Sequence, residues 1–314
     1  MNHHAKLPTE KEITKDWVRD EKPKLSIVCI AYNHQNFISS TLNGFLTQKT
    51  KYSYEIVCYD DYSEDKTREI IDSYKKAYPS IIRTIYPEEN QYSKGFSPLV
   101  DFILPFCEGS YIARCEGDDF WTDNQKVEKQ ISFLEKNPDF VLTTHNINTI
   151  DQTGKLINKN HLASFYKRDF SARELRCGWA GPVTQSMLFR NVIKEFPIEF
   201  KKAVLRDVFL ASLLGKFGRS KYQGDIKPSM YRIHIGGVFS TLNNPEKFDA
   251  QSITLFWMYR YYKRIGQAEV AKVLKMKYLE KNFRELTIVD IAKLLLVKYC
   301  GMNLKKLTGD RHNN

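Results

Sequence analysis

Leu25-Ser26-Ile27-Val28-Cys29-Ile30-Ala31, followed at once by Tyr32-Asn33, is the stretch on which the reading of the fold turns. Seven nearly continuous apolar residues, closed by polar ones, have the pattern of a strand buried on both faces of a parallel sheet. Moving outward, Phe37, Thr41, Leu42, Phe45 and Leu46 are spaced for one face of a helix. A second strand is expected at 55–59, and a helix opening at Ser63 as N-cap with Glu64 and Asp65 in its first turn. Ile70, Ile71, Tyr74 and Ala77 or Tyr78 form that helix's apolar stripe. Further strands follow at 81–86, 111–115 and 140–144, separated by helices at 98–106 and 123–136.

Strands alternating with helices over about 120 residues predict a doubly wound α/β domain with a mainly parallel sheet. Such sheets bind ligands at the carboxyl ends of their strands, so the residues just after each strand carry the functional reading. The first strand ends in Ala31-Tyr32-Asn33, the second in Asp60-Asp61, and the fourth in Glu116-Gly117-Asp118-Asp119. A carboxylate beside a ribose accepts hydrogen bonds from its hydroxyls, and a second one can hold Mg²⁺ or Mn²⁺ against a diphosphate. Asp65 reads more simply as a turn and cap residue. Asp118-Asp119, wedged between an apolar strand and Phe120-Trp121, does not.

The totals narrow the field. The chain has 314 residues, 42% of them hydrophobic, which suits a globular protein with a sizeable core. Residues 1–22 form a polar lead-in with no apolar stretch, so no conventional signal peptide is expected, and no run is long enough for a membrane span. His3 and His4 are too few for a metal site. Cys29, Cys58 and Cys115 sit inside apolar runs and read as small buried hydrophobes of a reducing, cytoplasmic compartment. A net charge of +11 points to anionic company, whether nucleic acid, anionic lipid or phosphorylated substrate. The chain has no Gly-rich dinucleotide fingerprint, phosphate loop or nucleophile elbow.

Together the Ala-Tyr-Asn, the double Asp, the segment Gly109-Ser110-Tyr111-Ile112-Ala113 through Glu116-Gly117-Asp118-Asp119-Phe120-Trp121, and Asp123-Asn124 with Lys126 and Gln130 resemble a family 2 glycosyltransferase of the GT-A fold. The similarity continues through 181–190, Arg206-Asp207 and Tyr231-Arg232-Ile233-His234, and so covers roughly 23–240 in order. The resemblance implies that Ala31, Tyr32 and Asn33 line the nucleotide-base pocket, that Asp61 contacts base or ribose, and that Asp118 and Asp119 hold ribose and metal. It makes Asp207 the catalytic base, Arg232 a diphosphate contact and His234 a diphosphate or metal contact. Glu116 stands where relatives carry an Asp. Arg206 stands where they carry an acidic or aromatic residue, a positive neighbour expected to lower the Asp207 pKa.

The implied activity is inverting transfer of a sugar from a nucleotide diphosphate donor, UDP by the family's habit, to a saccharide or lipid-linked saccharide hydroxyl, assisted by Mn²⁺ or Mg²⁺. Surface polysaccharide biosynthesis is the pathway that the resemblance brings with it. The expected divisions are a lead-in at 1–22, a nucleotide-sugar half at 23–150, an acceptor and base half at 151–240, and a basic helical extension at 241–314. The extension's aromatic, basic helices either pack on the catalytic domain or lie against anionic lipid at the membrane's inner face; the sequence leaves both open. Trp121 and Trp179 are open to sugar stacking or to packing, and Lys94 reads as a loop lysine. A sugar-phosphate nucleotidyltransferase would need a basic Gly-rich loop where Tyr32-Asn33-His34-Gln35 stands. A nucleic-acid-binding protein is disfavoured by carboxylates at the ligand edge.

Overall fold

The computed structural model describes residues 6–18, 21–237 and 241–283. Leu25–Ala31 forms β1, the centre of a seven-stranded sheet, with Tyr54–Asp60 (β2) and Tyr111–Glu116 (β4) parallel on its two sides. Ile82–Ile85 (β3) extends the β2 edge. Beyond β4 the order runs through Leu188–Arg190 (β8), Phe140–Thr144 (β5) and Arg219–Tyr222 (β9). β8 is antiparallel to both neighbours and the other pairings are parallel, so the sheet is mainly parallel, as expected.

Alternation along the central strands supplies two cores. Val28, Val57, Tyr59 and Ile112 face one layer, and Leu25, Ile27, Cys29, Ile56, Cys58, Ala113 and Cys115 face the other. The three cysteines are free and buried, consistent with their reading as hydrophobes. Each fully buried aliphatic side chain contributes about 1.5–3 kcal/mol, which explains why these runs hold their registers so firmly. The helices Ile38–Leu46 (α2), Thr67–Ala77 (α3) and Lys126–Lys136 (α4) cover the second layer.

Two local expectations change, and the polar lead-in proves to carry structure of its own. Helix α3 starts at Thr67, not Ser63, because the Ser63 hydroxyl and the Asp65 carboxylate are used within the preceding loop. The segment Pro98–Ile103 winds as a π-helix and closes with a 3₁₀ turn, rather than forming an α-helix. The lead-in is not loose: Glu10–Thr14 (α1) is capped by Thr9, the Tyr78 hydroxyl donates to the Pro8 carbonyl, and Trp17 packs on Tyr54.

Residues on both sides of 150 share one sheet. β8 and β9, from the second half, complete the first half's sheet. Ile147–Asp151 (β6), Leu156–Asn158 (β7) and Ser229–Ile233 (β10) form a separate small sheet in the order β10-β6-β7. A two-way bridge between Phe120 and Met230 ties that sheet to the loop after β4.

Ala172–Arg176 (α5), Ile198–Lys202 (α6) and Arg206–Leu214 (α7) pack on the first layer, and the C-terminal helices Asn244–Arg264 (α8) and Ala268–Phe283 (α9) close over them. Asn243 opens α8 in a capping box with Glu246. Tyr262 donates to the Ser212 carbonyl (2.9 Å), and Arg264 forks onto Glu199 (2.7 and 2.8 Å). Over the described residues, then, the extension packs on the catalytic domain. The expected apolar and basic stretch at 288–298 lies outside the described residues. No helix among the described residues is long and apolar enough to cross a membrane.

Candidate active site

Parallel pairing puts the ends of β1, β2 and β4 on one edge: Ala31 lies opposite Asp60, and Ile30 opposite Glu116. Beyond that edge the first two loops are stitched together. Asn33 N–H donates to the Ser63 hydroxyl (2.8 Å), Glu64 N–H to the Asn33 side chain (2.9 Å), His34 N–H to Thr67 (2.7 Å) and Gln35 N–H to Asp65 (3.0 Å). Asn33 takes a left-handed backbone (φ 54°), which asparagine tolerates; so does Tyr62 (φ 66°), a conformation that a bulky side chain rarely adopts. The rings of Tyr32 and Tyr62 stand exposed at this rim, whereas Ala31 is buried.

Asp60 and Asp61 are held by the protein. Asp60 accepts from the Ser63 N–H and hydroxyl, with Arg68 3.6 Å away. Asp61, 3% exposed, accepts from the Tyr59 hydroxyl (2.9 Å) and from the N–H groups of Gln91 (2.9 Å) and Tyr92 (3.0 Å). Its carboxylate therefore anchors the loop that includes Lys94, itself paired with Glu89.

The loop after β4 is built differently. Thr41 donates to the carbonyls of Gly117 (2.9 Å) and Asp119 (2.6 Å), and Gly117 N–H donates to Ile30. A Cβ on Gly117 would lie 2.8 Å from His34 Nδ1, so only glycine lets the histidine in. Asp118 Oδ2 is 2.9 Å from His234 Nε2 and 3.8 Å from His34 Nε2. Burial pushes the Asp118 pKa upward, but the His234 hydrogen bond and the charges of the two histidines outweigh it and hold it below the usual range. Burial lowers the pKa of His34, and the charge of His234 adds to this against the charge of Asp118. One atom each from His34, Asp118 and His234 lies within 4.8 Å of the others, and this set can hold a divalent cation.

Asp119 stands apart from that trio. It is 2% exposed and accepts the Arg232 N–H (2.8 Å), and burial together with the Asp118 charge raises its pKa well above the usual value. Arg232 turns inward rather than toward the rim. Its guanidinium donates to the carbonyls of Asp118 (3.0 Å), Asp151 (3.1 Å) and Gln152 (3.4 Å) and lies over Phe37. Both residues brace the loop that presents Asp118.

Asp207 occupies the first turn of α7, where a carboxylate is favoured, and accepts from the Val208 N–H (2.8 Å). Burial raises its pKa, partly offset by that N–H and by the charge of Arg114. The expected depression by Arg206 is thus corrected twice: the shift is upward, and the cation felt by Asp207 is Arg114 on β4. Arg206 donates instead to the Lys201 carbonyl (3.1 Å). Arg114 also pairs with Glu116 (3.1 Å), whose carboxyl is pushed up to about 7 by burial and by the charges of Asp118 and Asp207, against Arg114. Glu116 therefore lies close enough to feel the charges of both Asp118 and Asp207.

The sequence reading missed His34 and Arg114. His34 follows Tyr32-Asn33 directly, so its position after β1 was the available signal. Trp121 is core, packed on Phe45 with Lys126 over its ring, whereas Trp179 is exposed.

The chain is similar to several known proteins. The chain is 36% identical over 130 residues to the uncharacterized protein Rv1520 of Mycobacterium tuberculosis, 41% of this chain and 37% of that one. The match thus spans little more than a third of that relative's length. It is 29% identical over 211 residues to WfgD of Escherichia coli, a UDP-Glc:alpha-D-GlcNAc-diphosphoundecaprenol beta-1,3-glucosyltransferase, covering 63% of this chain and 76% of that one. Among solved structures, the mannosyltransferase PcManGT from Pyrobaculum calidifontis, in complex with GDP-Man and Mn²⁺, superposes with a TM-score of 0.53 at 14% identity, covering 93% of this chain and 85% of that one. Residues 26–195 match the family described as glycosyl transferase family 2. With that match and its GT-A architecture, the chain belongs to glycosyl transferase family 2.

Proposed function

We propose that the chain transfers a sugar, with inversion, from a UDP-sugar to a hydroxyl of a saccharide or lipid-linked saccharide acceptor in surface polysaccharide biosynthesis. The observation that carries this reading is the cluster of Asp118 with His34 and His234 at the carboxyl edge of β4, beside Glu116, whose carboxyl feels the charges of both Asp118 and Asp207. The name of WfgD, a UDP-glucose enzyme acting on a diphospholipid acceptor, supports donor and acceptor classes. The complex of PcManGT with Mn²⁺ supports a divalent cation.

In this reading Ala31, Tyr32 and Asn33 form the base end of the donor pocket, and Asp61 keeps the 90–92 loop closed beside it. Asp118 and His234 hold the cation, with Asp119 and Arg232 fixing their loop. A bound Mn²⁺ or Mg²⁺ supplies Lewis-acid neutralisation of the diphosphate leaving group. Asp207 takes the acceptor proton. Its raised pKa brings it nearer the operating pH, which favours proton abstraction. Attack from the face opposite the diphosphate inverts the anomeric centre, as in inverting hydrolases with acceptor in place of water.

Calorimetric titration with UDP, GDP and dTDP, with and without Mn²⁺, tests the donor site. UDP should bind most tightly and only with the cation. Asp207→Asn should bind UDP normally yet lose about 10²–10⁴-fold in transfer, the usual worth of general-base catalysis. Failure of all three nucleotides to bind would sink the reading, and retention of configuration in the product would remove its inverting mechanism.

A further inference from the structure

We propose that His34 is a third protein ligand of the cation, and that its imidazole makes the site rank Co²⁺ above Mn²⁺ above Mg²⁺. The inference rests on the metal-assisted reading above and refines which ion that site selects.

His34 and His234 approach the same oxygen of Asp118, from 3.8 and 2.9 Å, with their rings edge to face at 5.9 Å between centroids. All three side chains are nearly buried, at 12%, 8% and 15% exposure. The placement of His34 is built rather than incidental. Its N–H is held by Thr67, its ring sits where any side chain at residue 117 would collide, and Phe37 packs against both imidazoles. Arg232 lies over the far side of that arrangement, 4.6 Å from the Phe37 ring. Nε2 is the nitrogen of His34 that faces Asp118, and a cation bound there leaves the ring proton on Nδ1. His234 differs: its Nε2 faces Asp118 at hydrogen-bond distance and its Nδ1 takes the Gly236 N–H (3.2 Å), so a cation on Nε2 displaces that N–H as the ring proton moves to Nδ1.

Donor chemistry then sets selectivity. Mg²⁺ prefers an octahedral shell of oxygens and surrenders water reluctantly, whereas imidazole nitrogen favours later first-row metals in the order Mn²⁺ to Co²⁺. One carboxylate and one imidazole discriminate weakly. A second imidazole widens the gap.

The test is calorimetric titration of the full chain with Co²⁺, Mn²⁺ and Mg²⁺, each with and without UDP, for the unaltered protein, His34→Ala and His34→Asn. The Co²⁺ arm is also followed by visible absorption, and folding by thermal melting. The expected result is the stated ranking, with Co²⁺ affinity in His34→Ala falling at least about tenfold, the loss that even an outer-shell partner of a metal ligand causes. Mg²⁺ affinity should move much less, so the Co²⁺/Mg²⁺ ratio contracts and the cobalt spectrum changes. A purely structural histidine would weaken all three ions alike. An unchanged ratio in both folded variants, or Mg²⁺ binding as tightly as Co²⁺ to the unaltered protein, overturns the proposal. The arms without UDP read this ranking alone, so a donor site that fails to bind UDP is recognised separately.

Discussion

Two pairs of aspartates follow two neighbouring parallel strands, Asp60-Asp61 after β2 and Asp118-Asp119 after β4, and the protein uses them in opposite ways. The first pair is saturated from inside: three donors meet Asp61, and Ser63 and Arg68 meet Asp60. The second pair divides the work. Asp119 is tied to the Arg232 backbone, while Asp118 faces the imidazoles of His234 and His34, which a cation can share. A carboxylate met by fixed N–H groups locks a loop, whereas one met by exchangeable ligands can bind something new.

The largest expected effect tests that contrast directly. Asp118→Asn should cut transfer at least about a hundredfold, since metal assistance is worth several kcal/mol, and should abolish metal-dependent UDP binding with only a small change in melting temperature. Asp61→Asn places an amide against three donors, and should cost about 1–3 kcal/mol of stability. What remains folded should still bind the cation. If Asp61→Asn abolishes cation binding while its stability is untouched, the two pairs are alike and the contrast fails.

How much of this was legible follows from the length and regularity of each signal. β1 and β5 fall at the expected residues because nearly continuous apolar runs leave little choice. The strand Leu188–Arg190 is three residues long, too short to show a period, yet it reverses the sheet between β4 and β5. Asp207 was visible through family resemblance, but its controlling cation was not, because Arg114 reaches it from another element. Sequence neighbours such as Arg206 are poor guides to charge neighbours, because consecutive helical side chains project about 100° apart. The internal partners of Asp61, which are N–H groups, and of Arg232, which are carbonyls, come from distant segments and so leave no local pattern in the sequence.

A smaller effect concerns the second cluster's electrostatics. Arg114 stabilises the ionised form of Asp207, against the burial that raises its pKa. Removing that charge in Arg114→Gln should raise the pKa further, so the base becomes protonated at higher pH and the acid limb of the kcat profile moves upward. Arg114→Lys keeps the charge and should leave the limb nearly in place. If the limb does not move in Arg114→Gln, Asp207 is not the group titrating in the rate.

The smallest effect belongs to the first cluster. Asp65 accepts from the Gln35 N–H and from the N–H and hydroxyl of Thr67, which clamps the loops after β1 and β2 together. Burial pushes its pKa up, but those three donors outweigh it and leave the pKa below the usual 3.8. A carboxyl whose folded pKa is depressed stabilises the fold fully above its unfolded value and loses that contribution as pH falls through the folded one. Asp65→Ala should therefore cost about 1 kcal/mol near neutral pH, the typical worth of a capping side chain, and progressively less in acid, vanishing below the folded pKa. Denaturant melts of both proteins across the acid range read this difference. Nucleotide affinity of the folded variant should change less than its stability, because Asp65 holds the rim together from behind. A cost that persists undiminished in acid would mean that the side chain's bulk, not its charge, closes the clamp, and the first cluster would then be a packing device rather than an electrostatic one.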